Sequence, residues 1–101
     1  MCGAPDQSVS LPPGTDLSKE TVLAGRVVAG GEPVGGAFVR LLDGTGEFTA
    51  EVVSSASGDF RFFAAPGTWT VRALSRAGNG QSELVADGPG LHQAEVEVVA
   101  A

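Results

Sequence analysis

The side chains equipped for chemistry are few and far apart. Cys2 is the one cysteine and His92 the one histidine among 101 residues. Cys2 follows Met1 directly, in Met-Cys-Gly-Ala-Pro-Asp, and its small side chain is expected to permit removal of the initiator methionine. The α-ammonium group of the resulting N-terminal cysteine favours the thiolate, which is the nucleophilic form. His92 would complete a minimal nucleophile–base couple. It lies near the far end of the chain, however, and no third residue at a defined spacing makes a triad. The plainer reading of His92, a strand-end histidine at the rim of the core, is preferred. One cysteine and one histidine do not make a zinc site. Asp43-Gly44-Thr45-Gly46-Glu47 gathers two carboxylates, but it is far shorter than a calcium loop and reads as a β-turn. The glycine-rich stretches do not open helices, so nothing cradles phosphate. No metal site and no cofactor is expected.

Composition narrows the partner classes. The formal charge is −6, from 12 acidic and 6 basic residues. An acidic surface repels phosphate backbones and anionic lipid, so neither nucleic acid nor a membrane surface is an expected partner. No apolar run reaches membrane length. A lipid anchor on Cys2 would need a signal segment upstream, where only Met1 stands. A single cysteine makes no internal disulfide, which fits a reducing compartment, and the expected location is the cytoplasm.

The elements that would position these residues follow from hydrophobic periodicity. Residues 1–20 carry three prolines and only Val9, Leu11 and Leu17 as apolar anchors. They read as a flexible N-terminal arm, with one helical turn capped by Asp16. From residue 21 the apolar residues alternate with period two. Strands are expected over 21–29, 37–43, 47–55, 60–64, 68–76, 81–86 and 91–99. Turn signals separate them: Gly-Gly-Glu-Pro-Val-Gly-Gly at 30–36, Gly-Thr-Gly at 44–46, Ala-Gly-Asn-Gly at 77–80 and Asp-Gly-Pro-Gly at 87–90. About seven short strands at this spacing make an antiparallel β-sandwich over residues 21–101.

Alternation also assigns faces. Ala37, Val39, Leu41, Phe60, Phe62, Trp69, Val71, Ala73, Ala94, Val96 and Val98 are the expected core. Phe60, Phe62 and Trp69 are expected to dominate stability. The opposite faces hold Phe38, Arg40, Leu42, Arg61, Phe63, Arg72 and Leu74. Aromatic residues mixed with arginine are the composition of an interface centre. If those strands share a sheet, the set is a candidate docking surface or homodimer contact.

The motifs Gly25-Arg26-Val27, Gly31-Glu32-Pro33-Val34, Ala37-Phe38-Val39-Arg40-Leu41, Gly58 to Phe62 and Pro66-Gly67-Thr68-Trp69-Thr70-Val71 resemble the carboxypeptidase regulatory-like, or transthyretin-like (prealbumin-like), β-sandwich. The resemblance implies a fold and not a function, because these are scaffold residues. The whole chain, with its Met-Cys-Gly start and the runs Gly36 to Asp43, Gly46 to Val53 and Phe60 to Leu74, is also similar to an actinobacterial family whose genes lie beside a thiosulfate sulfurtransferase (rhodanese). That resemblance implies a non-catalytic accessory protein of sulfur metabolism that docks to the sulfurtransferase or to a sulfur acceptor. It also admits a sulfur carrier, or weak sulfurtransferase, in which the Cys2 thiolate takes up a sulfane sulfur. A small-ligand or carbohydrate-binding module is the remaining reading. It is poorly supplied with stacking platforms, since the chain has no tyrosine.

Overall fold

The structure is a computed structural model and describes residues 15–100. Cys2 and most of the expected arm lie outside these residues. The described residues form eight strands: β1 (Thr21–Ala29), β2 (Glu32–Pro33), β3 (Phe38–Leu42), β4 (Phe48–Val53), β5 (Asp59–Phe63), β6 (Gly67–Ser75), β7 (Gly78–Ala86) and β8 (Gly90–Glu97). No described residue is helical. Just before β1, Glu20 N–H donates to the Asp16 carbonyl at 2.8 Å, and the Asp16 carboxylate accepts the Ser18 N–H at 3.0 Å. Asp16 therefore caps a hydrogen-bonded turn here, and not the helical turn expected.

The strands divide into two sheets. In the first, β1 pairs antiparallel with β2 and β5 on one side and parallel with β8 on the other. The second runs β4-β3-β6-β7, antiparallel throughout. Between them lies one core that includes Leu23, Val27, Val39, Leu41, Phe60, Phe62, Val71 and Val96, all buried. The all-β sandwich expected from the periodicity is therefore the fold.

Three local differences have physical causes. An eighth strand arises because Gly30 and Gly31 both take positive φ, at 58° and 86°. That is the geometry of a tight two-residue hairpin, so Glu32 and Pro33 turn back onto Ala29 and Val28 instead of remaining loop. Ala-Gly-Asn-Gly is not the turn. Ser75 pairs with Gly78, and Asn79 and Gly80 already belong to β7. Gly80 is needed there because a Cβ would stand 1.9 Å from the Glu97 carbonyl oxygen, where β8 crosses close to β7. Trp69 faces inward but is only half-buried. It sits near the start of β6, and its Nε1–H donates to the Ala65 carbonyl at 2.9 Å. The core is centred on Phe60 and Phe62 instead, whose ring centroids are 6.1 Å apart.

Two expectations follow. Phe60→Ala should cost about 3–5 kcal/mol, and Trp69→Ala less because Trp69 is only partly buried, in urea unfolding followed by circular dichroism. Gly25→Ala should cost about 3 kcal/mol, since a Cβ there would lie 1.7 Å from the Ala94 carbonyl oxygen and 2.8 Å from the Phe60 ring.

Candidate functional site

Each sheet turns one face to the core and one outward, so the expected docking set can be traced rung by rung. On the second sheet, β3 and β6 lie side by side at its centre. Phe38 is flanked by Val53 and Leu74, with Asn79 beyond. Next come Glu51, Arg40, Arg72 and Gln81 in a row, and then Phe48, Leu42, Thr70 and Glu83. Phe38, Arg40, Leu42, Arg72 and Leu74 therefore share one outer face, as expected. Arg61 and Phe63 do not join them. They lie on β5, whose outer face belongs to the other sheet, beside Ala24 and Val22. The seven-residue set is thus two surfaces on opposite sides of the sandwich.

Two further details separate expectation from structure. Leu42 has the outward register but is buried, with 8% of its surface exposed. Phe48, absent from the expected set, is 62% exposed, and Phe38 is 52% exposed. The cause is a bulge between Leu41 and Leu42, where Ala50 pairs with Leu41 but Phe48 pairs with Leu42. Thr49 is the extra residue. Counting by twos from Val52 and Ala50 puts Phe48 in the core; the bulge re-aims it to the surface. No composition signal marks this event.

The electrostatics of this face are uneven. Arg40 and Arg72 are directly opposed across β3 and β6. Arg40 Nε lies 2.7 Å from the Glu51 carboxylate, so its charge is met. Arg72 instead donates from Nε and Nη2 to the Gln81 amide oxygen, at 3.3 and 3.2 Å. Among the described residues no carboxylate lies within ion-pair distance of it. An orientated guanidinium with no ion pair among the described residues thus stands between the Phe38–Leu74 rung and the Leu42–Thr70 rung, the second of which ends in Glu83 on β7.

The β3–β4 turn that sets this register is built on Asp43. One of its carboxylate oxygens accepts the Thr45 N–H at 2.8 Å, the Thr45 hydroxyl at 2.6 Å and the Glu47 N–H at 3.1 Å. Those bonds, the Thr45 hydroxyl first, hold the Asp43 carboxyl below its ordinary value. The carboxylate that could have met a cation is occupied by its own turn. His92 is similarly engaged. It is half-buried on the core side, and its Nε2 lies 2.9 Å from the Gly88 carbonyl, which also accepts the Thr21 hydroxyl at 3.2 Å. An oxygen acceptor at that distance requires Nε2 to carry the proton. Cys2 lies outside the described residues. No described group of three or more His, Cys, Asp or Glu side chains could hold a metal ion. No described helix is long and apolar enough to cross a membrane.

Residues 2–98 match a family model described as a protein of unknown function, DUF1416. The chain belongs to this family. Its relatives include the uncharacterised proteins Rv0814c and Rv3118 of Mycobacterium tuberculosis, each 62% identical over 99 residues, covering 97% of this chain and 99% of theirs. An uncharacterised protein of Mycolicibacterium smegmatis is 68% identical over 89 residues, covering 87% of this chain and 99% of its own. These relatives accord with the actinobacterial resemblance. Among solved structures, the dioxygenase domain of a dioxygenase carbohydrate-binding protein fusion from Streptomyces sp. SirexAA-E matches with a TM-score of 0.58, covering 100% of this chain and 97% of that one. At 13% identity the likeness is one of fold.

The Asp43 turn carries a pH dependence of known sign. A carboxyl held below its unfolded value adds stability above that value, and the contribution is lost as pH falls through the folded one. Asp43→Ala should therefore unfold more readily than the wild type at neutral pH, and the gap should close in the acid range. Urea midpoints measured for both proteins at several pH values check this.

Proposed function

We propose that this protein is a non-catalytic β-sandwich accessory protein of sulfur metabolism, which docks to a thiosulfate sulfurtransferase through the outer face of its second sheet. The observation that carries the docking surface is the rung order Phe38–Leu74, Arg40–Arg72, Leu42–Thr70 on adjacent central strands, with Phe38 and Phe48 exposed. Exposed phenylalanine beside an arginine is the composition of an interface centre. The unmet charge of Arg72 calls for a carboxylate on the partner, which would fix the register of docking more than its strength. The sulfur side of the reading rests on the resemblance of the whole chain, Met-Cys-Gly start included, to the family found beside sulfurtransferase genes.

Arg72→Glu and Phe38→Glu should each weaken binding to a thiosulfate sulfurtransferase by about tenfold or more, roughly 1.4 kcal/mol, in surface plasmon resonance, with the circular dichroism unchanged. Cys2→Ser should bind as the wild type does. Binding that survives both face substitutions removes the docking surface. Loss of sulfur uptake from thiosulfate on Cys2→Ser, read as one sulfur atom by mass spectrometry of the intact protein, would establish the carrier reading instead. Light scattering tests a homodimer through the same face: a mass above 10.1 kDa that Phe38→Glu reduces would assign it to self-association.

A further inference from the structure

The outer face of the second sheet is not uniform, and its corner beside the β6–β7 turn has a pattern of its own. Along β6 and into that turn, Arg72, Leu74 and Arg76 recur at every second residue. Both arginines are exposed, and Leu74 is half-buried. Two shallow depressions meet here. One is lined by Arg72, Asn79 and Gln81, the other by Arg76, Phe38 and Gly36. Leu74 lines both and stands between the two arginines.

Neither arginine forms an ion pair among the described residues. Arg72 is turned toward β7 by the Gln81 amide oxygen, whereas Arg76 shares its depression with Phe38. The Arg40–Arg72 and Phe38–Leu74 rungs carry one carboxylate between them, Glu51, and Arg40 holds it at 2.7 Å. Glu83 lies one rung further from the turn, beside Thr70. Arg40, Arg72 and Arg76 are three of the six basic residues in a chain of formal charge −6. The whole molecule therefore repels a polyanion while this corner attracts negative charge at short range. That contrast favours a short acidic stretch of polypeptide over a phosphate backbone, whose charge runs on past the corner.

We propose, on the reading that this face is the docking surface, that the partner contributes an extended segment with carboxylates at positions i and i+4 and an apolar side chain at i+2. In an extended chain those three side chains leave one face, and the outer two are about 13 Å apart. Arg72, Leu74 and Arg76 are set out at the same interval. One carboxylate meets Arg72 beside Gln81, the other meets Arg76, and the apolar side chain covers Leu74 and the exposed ring of Phe38. The arginines line separate depressions, so one acid does not serve both. A partner with a single acid would cover the second guanidinium without a counter-charge, which is costly. Exposed ion pairs are individually weak, so the two contribute chiefly by fixing which segment docks and in which register.

The test uses the full chain, labelled with 15N, and a short synthetic peptide centred on Glu-Ser-Leu-Ser-Glu, with no sulfurtransferase present. The peptide should shift the amide signals of Phe38, Leu74, Arg76 and Asn79. Arg72→Glu and Arg76→Glu should each weaken it by about fivefold or more. The double variant should instead bind a peptide centred on Lys-Ser-Leu-Ser-Lys, which the wild type does not. Equal binding of both peptides by the wild type would overturn the proposal, as would equal binding of a peptide whose two glutamates are adjacent, tighter binding of inorganic polyphosphate, or no shift on this face. Docking to a sulfurtransferase that Phe38→Glu weakens, with no peptide binding, keeps the docking surface and removes the acidic segment. Peptide binding here, with sulfurtransferase docking intact in Phe38→Glu and Arg72→Glu, removes the docking reading and keeps the acidic-segment site.

Discussion

The strand β1 is the constraint on which the rest of the molecule depends. It is hydrogen-bonded along both edges, antiparallel to β5 and parallel to β8. Parallel neighbours cannot be joined by a hairpin. The chain must therefore build the whole second sheet before β8 can return beside β1. Folding thus waits on contacts between the two ends of the sequence, which have a high loop-closure cost and form slowly. Gly25 marks the tightest point of this arrangement, with the Ala94 carbonyl on one side and the Phe60 ring on the other. The same rung seats the largest fully buried side chain, Phe60, in the core.

Much of this was legible in the residues. Period-two alternation located every long strand, and it assigned Val39, Leu41, Phe60, Phe62, Val71 and Val96 to the core where they lie. What alternation cannot carry is anything that interrupts its count or depends on which strands become neighbours. The bulge beside Leu42 moved Phe48 out of the core, and no local composition announces it. Gly78 and Gly80 read as a turn because glycine is ambiguous. It serves positive φ and close backbone approach equally, and here Gly80 serves the approach of β8. The docking set divided because sheet membership is decided by pairing partners far away in sequence: β5 joined β1, and β3 joined β6.

The run Thr-Val-Leu-Ala-Gly-Arg-Val-Val-Ala in β1 held one more signal. Its first four residues are all buried, and a strand closed on both faces reads as a continuous apolar run instead of an alternating one. Strands β7 and β8, by contrast, alternate between more closed and more open positions along their length. The first four residues of β1 are buried on both of its faces, whereas β7 and β8 are more closed on one face than on the other. The two outer faces are therefore not equivalent, although both carry phenylalanine.

That inequality bears on where recognition would occur. Many polar side chains with chemical potential are engaged by the scaffold. Ser54 is buried, taking the Ala37 N–H at 2.9 Å and giving its proton to the Val34 carbonyl at 2.7 Å. Asp43 closes its own turn, Asp59 is buried beside Arg26, and His92 holds the loop before β8. Each bond satisfies a group that would be costly to leave unpaired once buried, or pins a turn that sets a register. Arg72 is an exception. It is exposed at the centre of a sheet and orientated by a neutral amide, with the Phe38–Leu74 rung on one side and the Leu42–Thr70 rung on the other. A charge desolvated in such a setting would need a counter-charge, and among the described residues Glu51 is committed to Arg40 while Glu83, one rung along on β7, forms no ion pair with Arg72. A partner able to supply that carboxylate gains orientation as well as contact. A flat apolar surface without an acid would leave the guanidinium buried and unmet, so the charge discriminates between partners that the phenylalanines alone would accept.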